Sequence, residues 1–94
     1  MENTKFNSVI GTRTLILIYE HSAENNRIYL ELLRGKITWE TFFDEIKRNA
    51  LYYMDKINTA LVDGYITEDV HDKARSEINT NYNFYRRKWM KING

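Results

Sequence analysis

Two short stretches of the chain, LLRGKITWE at 32–40 and LVDGYITED at 61–69, carry the same order of residues: leucine, glycine three positions on, one spacer, then isoleucine, threonine and acid. Each part of that order has a conformational role. Gly35 and Gly64 can take the left-handed backbone that ends a helix, where a Cβ would be strained. Thr38 and Thr67 each offer a hydroxyl to the unpaired amides of a following helix. Glu40, Glu68 and Asp69 complement the positive end of that helix. Ile37 and Ile66, just ahead of the threonines, stand where a hydrophobic staple fixes the entry angle. The phrase therefore reads as helix stop, staple and helix start, and its repetition cuts the chain into helices joined by short turns.

Apolar periodicity agrees with those cuts. Trp39, Phe42, Phe43, Ile46, Ala50, Tyr53, Met54, Ile57 and Leu61 follow three-then-four spacing, as do Val70, Ala74, Ile78, Tyr82, Tyr85, Trp89 and Ile92. The chain has no proline, so nothing enforces a kink. Helices are expected near 13–34, 39–62 and 68–92. Short connections make consecutive helices antiparallel neighbours, so the expected fold is all-α, an antiparallel three-helix up-down-up bundle. The L-x-x-G-x-I-T-x-E turns resemble those of helical hairpins in the short C-terminal domains appended to many bacterial proteins; the likeness covers the turns alone and implies no function.

The first segment leaves an alternative open. TRTLILIYE at 12–20 is rich in β-branched residues, and KFNSVI-GT-RTLILI has the form of a β-hairpin with a turn at Gly11 and Thr12. That alternative is α+β, an N-terminal hairpin packed on helices. The helix is preferred because a partner of comparable length is needed for the other two. In such a helix the run Leu15, Ile16, Leu17 and Ile18 points in every direction, more than one face can bury.

A chain of 94 residues with 43% hydrophobic and 29% charged residues suits one globular domain, 1–94, with 1–11 expected to be a flexible N-terminal segment. The absence of cysteine removes disulfides, thiolate nucleophiles and cysteine-ligated metals. The longest apolar run, LILIY, is far shorter than the roughly 20 residues that cross a bilayer. No membrane partner is expected, and the location is read as cytoplasmic. A net charge of +1 drives the chain toward neither nucleic acid nor membrane, so any such affinity must be local.

Chemistry-bearing clusters are sparse. Glu68 and His71 form one Glu-x-x-His, half of what a bundle-type di-metal site needs, and the second half is missing. Metal and cofactor are therefore expected to be absent. No serine has a recognisable histidine–acid arrangement, and the four glycines are isolated, so no phosphate loop is present and no enzyme is expected.

Two surfaces remain. Leu15, Leu17 and Ile18, with Leu51 and Tyr52, exceed what a small core needs and are the candidate protein interface. Phe84, Arg86, Arg87, Lys88 and Lys91 interleave an aromatic with cations and are the candidate nucleic-acid or phosphate contacts. The expected function is a small non-enzymatic helical interaction module, a regulator or inhibitor of the kind encoded by phage and mobile elements, that binds a host or defence complex. A protein partner is expected, with a homodimer as one form. The alternative is a nucleic-acid or nucleotide binder using the basic aromatic C-terminal helix.

Overall fold

Both glycine turns form as the sequence directs. Gly35 sits at φ 74° and Gly64 at φ 81°. Around the first, Gly35 N–H donates to the Leu32 carbonyl and Lys36 N–H to that of Glu31; around the second, Gly64 N–H donates to Leu61 and Tyr65 N–H to Ala60. Each pair is a Schellman closure that satisfies carbonyls the helix end leaves open. Thr38 Oγ accepts from Thr41 N–H at 3.1 Å, and Thr67 Oγ from Val70 N–H at 3.3 Å. Ile66 is buried and Ile37 packs against the core, so the staple positions are filled as expected.

The computed structural model describes residues 12–93, with side chains from 13 to 91. The segment 1–11, expected to be flexible, and the side chain of Ile92 lie outside the described residues. Three helices result: α1 (Thr12–Leu33), α2 (Trp39–Val62) and α3 (Glu68–Asn93). They match the expected boundaries within one residue. The β-hairpin alternative is overturned, because residues 12–20 are the first turns of α1. Tertiary packing overrides strand propensity in this stretch: Leu17 and the β-branched Ile18 lean on the core from a helix.

The three helices pack pairwise into an up-down-up bundle. At one end His71 of α3 meets Asn58 of α2; at the other Phe43 of α2 stacks on Trp89 of α3 with centroids 4.4 Å apart. Tyr29 of α1 lies 5.6 Å from Tyr85 of α3, so these two helices run parallel. The core divides in two. One cluster holds Ile28, Leu32, Phe42, Ile46 and Tyr85, and the other Ala50, Ile57, Ala74 and Ile78. Each large aliphatic or aromatic side chain so buried contributes about 1.5–3 kcal/mol. Between the clusters stands a polar layer.

Candidate functional site

Four polar side chains occupy that layer at positions a core would normally fill. His21 and Asn25 of α1 are fully buried, and Asn49 of α2 and Asn81 of α3 are half-buried beside them. Asn49 Nδ2 donates to Asn25 Oδ1 at 2.9 Å, and Asn25 Nδ2 donates to Asn81 Oδ1 at 2.7 Å. Asn81 Nδ2 then donates to Ser22 Oγ at 3.2 Å. This directional chain of amides joins all three helices, and each bond polarises the next. Asn49 Nδ2 also reaches the His21 carbonyl at 3.1 Å.

His21 ends the layer. Its Nε2 lies 3.4 Å from Asn25 Nδ2, so Nε2 accepts and the proton resides on Nδ1, which is buried without a partner. Burial pulls its pKa down to about 4, and the ring is neutral near pH 7. Tyr53 closes over it edge-on at 5.6 Å. His21 and Asn25 are cut off from solvent, while Asn49 and Asn81 keep partial access. The amides are bound to one another across all three helices, an arrangement that fits holding the helices in register.

Sequence periodicity carried a signal for this layer that a search for apolar residues passes over. Asn25 falls between His21 and Ile28, Asn49 between Ile46 and Tyr53, and Asn81 between Ile78 and Tyr85, each at core spacing. His21 and Ser22 do share the network, but through Asn25 and Asn81 rather than by facing each other.

The candidate interface residues do not form one patch. Leu15 is half-buried, while Leu17 and Ile18 are half-buried against the second core cluster. Leu51 and Tyr52 are instead 62% and 55% exposed on α2. Tyr52 borders an open groove between α1 and α2, shared with Glu20, Glu24 and Arg27. Arg27 clamps Glu24 at 2.7 Å and Glu31 at 3.0 Å. The hydrogen bond from Arg27 holds the Glu24 carboxyl below its ordinary range. Lys56 lies over the Tyr52 ring, 5.2 Å from its centroid.

The basic candidates sort by helical angle. Phe84, Arg87, Lys88 and Lys91 share an arc of about 100°, whereas Arg86 points about 200° from Phe84. Phe84 is exposed, and the Lys88 ammonium sits 4.8 Å from its centroid and 5.2 Å from that of Tyr29. Arg86, Arg87 and Lys91 are exposed and Lys88 half-buried. Lys91 also stands in the last turn, where a cation complements the helix dipole.

His71 is buried, with Nε2 2.6 Å from Asn58 Oδ1 and Nδ1 3.5 Å from Asp72 Oδ1. Among the described residues no three histidine, cysteine or acidic side chains converge to hold a metal ion. No described helix is long and apolar enough to cross a membrane. Comparison with protein-family models, curated proteins and solved structures found no match, so the reading of this chain rests on its own residues.

Proposed function

We propose that the chain is a non-catalytic helical interaction module that regulates or inhibits a larger complex by occupying a protein surface. The observation that carries this reading is the outward placement of Leu51 and Tyr52 on α2, with Tyr52 at the rim of the α1–α2 groove, while His21 and Asn25 are fully buried. Exposed leucine and tyrosine side by side suit an interface, because tyrosine buries a large ring and keeps its hydroxyl wet. The test is copurification of tagged protein from its native cells, followed by mass spectrometry. Leu51→Asp with Tyr52→Asp should release a discrete protein partner without unfolding the chain. Capture unchanged by both substitutions rejects this surface.

A second reading is favoured by one specific contact, the Lys88 ammonium over the exposed Phe84 ring, with Arg87 and Lys91 on the same arc. Such a face suits a base stacked on an aromatic with its phosphates among cations. Nuclease-sensitive material, lost on neutralising Arg87, Lys88 and Lys91, would favour it over the protein reading.

A further inference from the structure

The side of α1 turned away from the core carries a second regular pattern. Ile16, Tyr19, Ala23, Asn26, Leu30 and Leu33 follow spacings of three, four, three, four and three, the a and d positions of successive heptads. All six are exposed; Tyr19 is 71% and Leu33 62% accessible. The core contacts of α1 come from its opposite face, through His21, Asn25, Ile28 and Leu32. Thus one helix presents two seams, one buried in its own bundle and one facing out over about 27 Å. A stripe of that length and regularity is what one helix offers another.

We propose that this outer stripe is the seam of an antiparallel homodimer, α1 against α1 of a second copy. The proposal deepens the interaction-module reading, on which it rests, by naming one occupant of one face. Self-complementarity argues for the second copy. In one antiparallel register every a position meets a d position: Ile16 faces Leu33 of the second copy, Tyr19 faces Leu30, and Ala23 faces Asn26. The small and polar pair falls at the centre, where it lets the backbones approach, and the large side chains pair toward both ends. Shifting by one heptad leaves two of the outer apolar residues on each helix without a facing partner.

Charge selects the same arrangement. In that register Glu20 of one copy flanks Arg27 of the other, twice by symmetry, giving opposite charges beside the seam. A parallel pairing sets Glu20, Arg27 and Arg34 against Leu15, Ser22 and Tyr29, with no opposite charge at all. One like-charged pair, Arg13 with Arg34, falls at each solvated end of the antiparallel seam, where screening weakens it.

The first experiment is sedimentation of the full chain over a range of concentrations up to millimolar. The wild type should form a dimer, and Tyr19→Glu or Leu33→Glu should weaken it by on the order of tenfold or more. Both residues are so exposed that the helical circular dichroism of each variant should match that of the wild type. Orientation is read by mixing Ala23→Cys protein with Asn26→Cys protein under mild oxidation, since the chain has no cysteine of its own. The expected product is the mixed disulfide in clear excess over either homodisulfide. A monomer throughout the concentration range, or a dimer unmoved by both glutamates, overturns the seam; predominant Ala23→Cys homodisulfide overturns the antiparallel register. Partner capture that depends on Leu51 and Tyr52 is scored separately, so a failed seam and a failed interaction module remain distinguishable.

Discussion

Asn25 of α1 donates to Asn81 of α3 at 2.7 Å across the middle of the bundle, and accepts from Asn49 of α2 at 2.9 Å on its other side. One amide thus satisfies two neighbours, and a helix that slides by a turn puts Ile28, Ile46 or Ile78, or in the other direction the ring of His21, Tyr53 or Tyr85, where its amide should be. Hydrogen bonds of this kind add little net stability but make every alternative packing expensive.

Truncating that amide should therefore be costly. Asn25→Ala leaves Asn49 and Asn81 without their buried partner and opens a gap, for an expected loss of about 2–4 kcal/mol. Replacing Asn25, Asn49 and Asn81 together by leucine should recover much of the loss, while broadening the amide resonances as unique register is given up. Urea denaturation checks the first outcome and nuclear magnetic resonance the second. An Asn25→Ala midpoint equal to that of the wild type would show that the layer does not hold the helices together.

Stability should fall on mild acidification through His21. The unfolded ring takes its proton near the ordinary 6.5, and the folded ring only near 4. Between those values the unfolded chain binds a proton that the folded chain refuses, so stability drops as pH falls through this window and is independent of this group above it. The full difference is on the order of 3 kcal/mol. His21→Phe should flatten the dependence of the urea midpoint on pH. A wild-type profile with the same slope as the variant would refute the assignment.

The turn glycines should resist substitution for conformational reasons alone. A Cβ built on Gly64 meets nothing within 4 Å, yet φ is 81°. Gly64→Ala should cost about 1–2 kcal/mol, and Gly64→Asn less, because asparagine tolerates the left-handed region. Thermal melting of the two variants beside the wild type decides the order.

On the nucleic-acid reading, binding to single-stranded oligonucleotides should depend on Arg87, Lys88 and Lys91 and be nearly indifferent to Arg86. Neutralising any one cation that pairs with a phosphate should lower the slope of log affinity against log salt by about 0.7. Titrations at several salt concentrations measure both effects, and an equal weakening by Arg86→Ala would contradict the angular sorting.

The turns and the amphipathic faces were legible in the sequence because their causes are local. Gly35 needs only its own backbone, Thr38 only the next three residues, and Ile46 only its spacing from Phe42 and Ala50. The amide layer was legible only in part: Asn25, Asn49 and Asn81 stand at core spacing, but which amide each one meets is decided only when partners 24 and 56 residues away arrive. Leu17 and Ile18 show the same limit from the other side. Their run offered four apolar side chains, and only the positions of α2 and α3 decided that these two lean inward while Ile16 is left in water.

The two glycine turns also bear on how the chain reaches this state. Each spans five residues, 34–38 and 63–67, so bringing α1 beside α2, or α2 beside α3, loses only the entropy of a short loop. Most of assembly is therefore local, the regime in which helical bundles fold within microseconds to milliseconds. The meeting of α1 with α3 alone must close a long loop. The amide layer belongs to that last encounter, where a hairpin docked in the wrong register leaves Asn25 dry and unpaired and is free to come apart and try again.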